Sequence, residues 1–288
     1  MILAKHAGFC FGVRRAVETA RRSAPAVTLG PVIHNPRVVS ELEAAGVKSV
    51  ASPEEIPEGA RVVVRSHGVG RETLDALKAR NVEILDATCP FVRRIHEISL
   101  SAERNGIALI VVGEERHPEV EGIRGWTSGE SYAVATEEAA LALPGMESAL
   151  VVSQTTFIEE RFDRITEAIA KRVKHPEIIR TICPATKESQ EEAVRLAREV
   201  DCMIVVGGRE SSNSRKLYEL VREVLTRSHF IESAEELGGI ALDAVDRVGI
   251  TAGASTPDCI IKEVVARMND IEKQVTPSEE HVEQAETS

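Results

Sequence analysis

The chain has 288 residues, enough for two or three compact units, with 43% hydrophobic residues, 28% charged residues and a formal net charge of −11. This composition is ordinary for a globular protein in water, and its acidity argues against a broad nucleic-acid surface. No apolar run approaches the roughly 18 residues of a membrane span, and the start, Met1-Ile2-Leu3-Ala4-Lys5-His6, lacks the apolar stretch of a secretory signal, so a cytoplasmic protein without a membrane partner is expected.

In chain order, the run Met1-Ile2-Leu3-Ala4 leads to Cys10 and the helix-like CFGVRRAVETA. The strand ending VTLG is followed by a polar loop with His34 and a helix that has Pro36 at N1, where a fixed φ and a missing N–H are harmless. VVVRSHGVGRETLDAL repeats strand, loop and helix, with His67 in the loop. Val82-Glu83-Ile84-Leu85 then leads to Cys89 and CPFVRRIHEIS. LIVVG precedes a loop with His117 and a helix that opens on Pro118, with Glu119 in its first turn; LVVSQTTFIEERFDRI carries Thr155 and Thr156. Ile178-Ile179-Arg180-Thr181 leads to Cys183 and CPATKESQEEA. MIVVGG runs into the polar run Ser211-Ser212-Asn213-Ser214, and VGITAGASTPDCIIKEVV carries Ser255, Thr256 and Pro257. From Thr276 to Ser288 there are four Glu and no Lys or Arg, a composition expected to be disordered.

These segments make a weak threefold repeat with a period of about 90 residues. The expected fold class is α/β, with three pseudo-threefold-related units of mainly parallel strands: 1–89, 90–182 and 183–272, followed by an acidic tail at 273–288. Residues 1–9 are available to complete the third unit's sheet. In such sheets ligands bind beyond the C-terminal strand ends, at helix N-termini, so the polar loops of a pseudo-threefold chain are expected to converge on one central cavity.

Five cysteines in a reducing compartment point to metal, catalysis or burial rather than disulfides, and none forms a CxxC pair. Any one of them could simply fill space, but Cys10, Cys89 and Cys183 occupy equivalent strand–helix junctions, where a helix N-terminus also favours the thiolate. Cys202, in the apolar run 200–206, and Cys259, early in the last helix, read as core. A structural zinc needs a closed tetrahedron, and no fourth ligand is equivalently placed. A cubane with three cysteinyl irons and one free iron fits the count better, and the free iron can act as a Lewis acid.

His34, His67 and His117 share a place in polar loops after strands. With Thr155, Thr156, Ser211, Ser212, Asn213 and Ser255 they read as a pocket for a phosphate or diphosphate, built from imidazole, hydroxyl and amide donors without an arginine clamp. Glu119, two residues after His117, reads as a helix-dipole partner or, more sharply, as a proton donor. No Walker loop or GxGxxG fingerprint is present, so nucleotide binding is not indicated.

The segments GFCFGV (8–13), HNPRVV (34–39), SHGV (66–69), DATCP (86–90), HPEVEG (117–122), SQTT (153–156), CPAT (183–186), SSNS (211–214) and TAGAS (251–255) together resemble the LytB-type family of 4-hydroxy-3-methylbut-2-enyl diphosphate reductases, over nearly the whole chain. The resemblance implies an α/β trefoil around one 4Fe-4S cluster ligated by Cys10, Cys89 and Cys183. It implies diphosphate binding by His34, His67, Ser211, Ser212, Asn213 and Ser255, positions near the substrate for His117 and Thr155, and proton donation by Glu119. The implied reaction is reductive removal of water from an allylic diphosphate, giving isopentenyl and dimethylallyl diphosphates, the last step of the non-mevalonate pathway. One position departs from the family pattern: Ser189 stands where Arg usually precedes Gln190. No flavin or nicotinamide fingerprint is visible, so a small external redox protein of ferredoxin or flavodoxin type is the expected donor. The rival readings are a non-redox open-iron dehydratase, separated by its indifference to reductant, and a non-catalytic redox sensor, separated by lack of turnover.

Overall fold

The computed structural model describes residues 1–242 and 247–275. In chain order the elements are β1 (Ile2–Leu3), α1 (Phe11–Arg22), β2 (Ala26–Leu29), α2 (Pro36–Ala44), β3 (Val47–Val50), β4 (Arg61–Val64), α3 (Arg71–Lys78) and β5 (Glu83–Asp86). Then come α4 (Pro90–Asn105), β6 (Ala108–Val112), α5 (Pro118–Arg124), β7 (Ser131–Val134), α6 (Glu137–Leu141), β8 (Met146–Ser153), α7 (Glu159–Ile169) and β9 (Val173–Ile178). The last group is α8 (Pro184–Ala197), β10 (Cys202–Val206), α9 (Ser212–Val224), β11 (Ser228–Ile231), β12 (Val248–Ala252) and α10 (Asp258–Val275). The expected acidic tail, from residue 276 on, lies outside the described residues.

The α/β class is as expected. The strands form three four-stranded sheets with every described pairing parallel, in the orders β3-β2-β4-β5, β7-β6-β8-β9 and β11-β10-β12-β1. The three orders are the same pattern, and in each the edge strand β5, β9 or β1 runs toward Cys89, Cys183 or Cys10. Residues 1–9 with the described residues from 188 on form one compact unit, which holds the third sheet; residues 10–187 form another, which holds the other two.

The apolar runs become strands buried on both faces, as helix-covered parallel sheets require. Alternation then sends neighbours to opposite cores. In the second sheet Ile110, Val112 and Val151 pack on Phe162 and Ile165, while Leu109, Val111 and Val152 pack on Ile95, Val120 and Ile123. In the third sheet Cys202, Ile204 and Val206 face Ile260 and Val264 of α10, whereas Met203 and Val205 face Ala193, Leu196 and Leu217. Cys202 is therefore a core residue, and Cys259 packs at the edge of the same cluster.

One strand departs from the sequence reading. The strand before Cys183 is Val173–Ile178 rather than Ile178-Ile179-Arg180-Thr181. Its polar content and Pro176 disguise it, but it is an edge strand, where proline is tolerated. Thr181 continues the pairing through its side chain: Oγ1 accepts the Ser153 N–H at 2.7 Å and donates to the Ser153 carbonyl at 2.7 Å.

Candidate functional site

In the 10–187 unit the three repeat cysteines occupy the same local position. Cys10 is the N-cap of α1, Cys89 is the N-cap of α4, and Cys183 immediately precedes Pro184, the first residue of α8. Each carbonyl accepts the first helical N–H, from Arg14 at 3.0 Å, Arg93 at 2.9 Å and Lys187 at 3.0 Å. The side chains of Cys10 and Cys89 make no capping hydrogen bond, and Pro90 and Pro184 have no N–H to satisfy at the first helical position. The thiol of Cys89 lies against α1: a Cβ placed on Gly12 would stand 2.7 Å from its Sγ.

The three thiols act on one another electrostatically. Burial raises the Cys89 thiol pKa; the N–H groups of Phe91 and Val92 pull it down, and Cys10 and Glu119 push it up. Burial likewise raises that of Cys183, opposed by the N–H groups of Ala185 and Thr186 and reinforced by Cys10 and Cys89. The helix N-termini thus act as expected, but burial outweighs them. Among the described residues no group of three or more His, Cys, Asp or Glu closes on a single metal ion.

The same unit gathers the three imidazoles. The ring centroids of His34 and His67 are 5.7 Å apart, those of His67 and His117 5.4 Å, and those of His34 and His117 6.4 Å. Each arrives from a strand–helix loop, after β2, β4 and β6 respectively. His67 is held well below the usual imidazole pKa, first by burial, then by the charges of His117, Arg65 and His34, and its Nδ1 is buried without a hydrogen-bond partner. His117 caps α5: its Nδ1 accepts the Glu119 N–H at 3.2 Å, which in the neutral ring leaves Nε2 as the donor.

Glu119 is 2% exposed. Its Oε1 accepts the Thr155 N–H at 2.6 Å and its Oε2 accepts the Thr155 hydroxyl at 2.8 Å. The Thr155 carbonyl in turn accepts the Cys183 N–H at 2.9 Å. The Ser66 carbonyl, beside His67, accepts the Cys89 N–H at 3.0 Å in the same way. Backbone bonds therefore tie two of the thiols to the loops that carry the polar residues. Thr156 belongs to the same turn, where its hydroxyl accepts from Gln154 at 3.0 Å.

The remaining predicted residues come together in the other unit. Ser211 caps α9 through the Ser214 N–H, the Ser255 hydroxyl donates to Ser211 Oγ at 2.8 Å, and Asn213 Oδ1 accepts the Ala254 N–H at 2.8 Å. Gly207 and Gly253 allow this approach, because a Cβ on either would collide with the Ser214 side chain. Gln190, next to Ser189, is 7% exposed, with Nε2 buried and without a partner.

Sequence reasoning missed two cations. Lys216 is 5% exposed, and its Nζ donates to Ser212 Oγ at 2.5 Å. Its spacing of one helical turn from Ser212 was the available signal. Arg65 precedes Ser66 and His67 in RSHG and acts on the His67 ring; the string names the residue but not its burial.

Fold and site together define a class: a parallel α/β protein of repeated four-stranded sheets, with thiol, imidazole and hydroxyl groups set at helix N-termini. The chain belongs to the LytB protein family, whose pattern matches residues 1–269. It is 42% identical over 277 residues to the 4-hydroxy-3-methylbut-2-enyl diphosphate reductase of Geobacter sp. (strain M21), covering 95% of this chain and 98% of that protein. It is 40% identical over 279 residues to the reductase of that name from Caldanaerobacter subterraneus subsp. tengcongensis, covering 94% and 97%. A solved (E)-4-hydroxy-3-methyl-but-2-enyl diphosphate reductase, described as the terminal enzyme of the non-mevalonate pathway, matches with a TM-score of 0.68 and 42% identity over 94% of this chain and 99% of that one. The Plasmodium falciparum reductase structure matches with a TM-score of 0.87 at 24% identity over 96% and 88%, a likeness of fold alone.

Proposed function

We propose that this protein is an oxidoreductase that removes the hydroxyl group of 4-hydroxy-3-methylbut-2-enyl diphosphate reductively, the last step of the non-mevalonate pathway. Two electrons and two protons enter, the C–O bond breaks, and water leaves with isopentenyl or dimethylallyl diphosphate. The observation that carries this reading is the bonded chain from the buried Glu119 carboxylate through Thr155 to the backbone of Cys183, which joins a proton-carrying group to the thiol set.

Cys10, Cys89 and Cys183 would hold one 4Fe-4S cluster. Their chemistry fits it: three thiols at equivalent helix N-termini act on one another without closing on a single-ion site, and Gly12 leaves room against Cys89. When bound, the cluster supplies the electrons and a Lewis-acidic iron. Glu119 would deliver protons, kept in place by the two Thr155 donors. His34, His67 and His117 would bind the anionic substrate, with His117 presenting Nε2–H because its Nδ1 is engaged. Ser211, Ser212, Asn213 and Ser255 would supply hydroxyl and amide donors to the diphosphate, with Lys216 adding charge beside Ser212.

The electron donor in this reading is a small ferredoxin- or flavodoxin-type protein, and the compartment is the cytoplasm. Among the described residues no helix is long and apolar enough to cross a membrane. The test is anaerobic reconstitution, iron and sulfide counting, and product analysis with and without a chemical reductant. Turnover that requires reductant supports the reading. Loss of water from the substrate without reductant, giving a product two electrons more oxidised than isopentenyl diphosphate, indicates a dehydratase, and a cluster-loaded protein that never turns over indicates a sensor.

A further inference from the structure

The first sheet of the 10–187 unit carries a cavity that the groups assigned above do not line. It has a volume of about 470 Å³ and lies where the ends of β2 and β4 meet the starts of α3 and α5. Its one cation is Arg65. Among the described residues the Arg65 guanidinium makes no hydrogen bond or ion pair, and its Nε is buried without a partner. Burial lowers the Arg65 pKa, and the charge of Glu121 opposes that shift.

The position of this guanidinium depends on its neighbour. Gly30, at the end of β2, has φ +65°, and a Cβ there would stand 2.5 Å from Arg65 Nη1. Glycine thus satisfies a left-handed turn and leaves the strand end open for the guanidinium to cross. The start of α3 lines the same cavity. The N-cap, Gly70, provides no side-chain acceptor, and the N–H groups of Glu72 and Thr73 find none among the described residues. Leu29 and Val69 add an apolar wall. Glu72 and Glu121 also line the cavity, but both are exposed, so water and salt screen their charge more than that of the half-buried Arg65.

A forked cation that shares a cavity with two free amides and the Thr73 hydroxyl suits a tetrahedral oxyanion, and the apolar wall suits a carbon body. We propose that this cavity binds a small organic phosphate, with its oxyanion between Arg65 and the start of α3 and its apolar part against Leu29 and Val69. The inference stands apart from the reductase reading, because that reading gives Arg65 and the start of α3 no role in the reaction.

The test is a titration of the cluster-loaded protein, followed through the backbone amide NMR shifts of Glu72 and Thr73. Inorganic phosphate should shift both amides saturably, and isopentenyl monophosphate should do so with a midpoint lower by about fivefold because of its apolar tail. Chloride at matched ionic strength should shift neither. Arg65→Met should weaken the phosphate midpoint by about tenfold or more. If that variant loses its near-ultraviolet circular dichroism, Arg65→Lys replaces it and should weaken the midpoint by about threefold through loss of the fork. Phosphate also has access to the imidazole groups, so the titration is repeated in His34→Ala, where the same shifts should persist. The proposal is overturned by unmoved amides in the native protein, by equal midpoints in the Arg65 variant, by disappearance of the shifts in His34→Ala, or by acetate or chloride matching phosphate.

Discussion

Glu119→Gln separates proton delivery from structure. The carboxylate accepts two hydrogen bonds from Thr155, at 2.6 Å from N–H and 2.8 Å from the hydroxyl. A glutamine can turn its carbonyl toward the N–H, which cannot move, and its amide toward Oγ1, which can rotate to accept. Both contacts survive and only their charge-assisted strength is lost, so the expected destabilisation is about 1–2 kcal/mol. Iron and sulfide content should be unchanged. An amide cannot relay the proton, and loss of a positioned acid corresponds to about 10²–10⁴ in rate, or roughly 3–5 kcal/mol on the barrier. The assay is kcat of the anaerobically reconstituted enzyme with excess reductant, alongside thermal unfolding. Thr155→Val is the comparator: it loses one bond to the carboxylate, keeps the N–H bond, and should cost about 1 kcal/mol of stability while retaining much more turnover than Glu119→Gln. A kcat in Glu119→Gln within about threefold of the native value would remove Glu119 from the proton path.

Cys89→Ser should abolish the brown absorbance of the reconstituted protein, whereas Cys259→Ser, at the edge of the α10 core, should retain it; equal iron in both would overturn the ligand assignment. Gly12→Ala would place a methyl group 2.7 Å from Cys89 Sγ and should lower iron content and raise its loss rate in air, as read by iron assay. His96, stacked on Trp126 at 4.9 Å and held at a pKa of about 4 by burial, should make the fold acid-labile. Its folded pKa lies below its unfolded value, so the unfolded chain takes up the proton first as pH falls. Stability should therefore drop between about pH 6.5 and 4, by up to roughly 3 kcal/mol. In His96→Phe, which keeps a ring against Trp126, denaturant titrations across that range should be flatter; an unchanged slope would show that the acid sensitivity arises elsewhere.

Much of the architecture was legible because buried parallel strands are simple. Runs such as Leu109–Val112 and Met203–Val206 are continuous, apolar and bounded by glycine, and prolines mark the helix starts at Pro36, Pro90 and Pro118. The cysteines were legible because each stands at the same place in a repeat. What escaped reading was whatever depends on an edge or on burial. The strand Val173–Ile178 hides behind Lys174, His175 and Pro176, since an edge strand has no need of an apolar pattern. Arg65 and Lys216 look in the string like any surface cation; only their packing against Gly30 and Ser212 sets them apart.

Those two cations bear on how a chain of net charge −11 could hold a multiply charged anion. Net charge acts at long range and is screened beyond about 8 Å in physiological salt. Binding is decided inside that distance, by groups whose charge or dipole cannot be solvated away. On the proposed assignment these are, in one unit, three imidazoles with centroids no more than 6.4 Å apart, of which His67 is held well below the usual imidazole pKa by burial and by the charges of His117, Arg65 and His34. A neutral ring still donates one N–H, so it can orient a phosphate oxygen without adding a desolvated charge that must be compensated when the site is empty. In the other unit the hydroxyls of Ser211 and Ser255 already bond to each other, and Lys216 already donates to Ser212. If these groups bind the diphosphate as proposed, they are aligned before it arrives, and such preorganisation would replace the excess positive charge that the composition lacks.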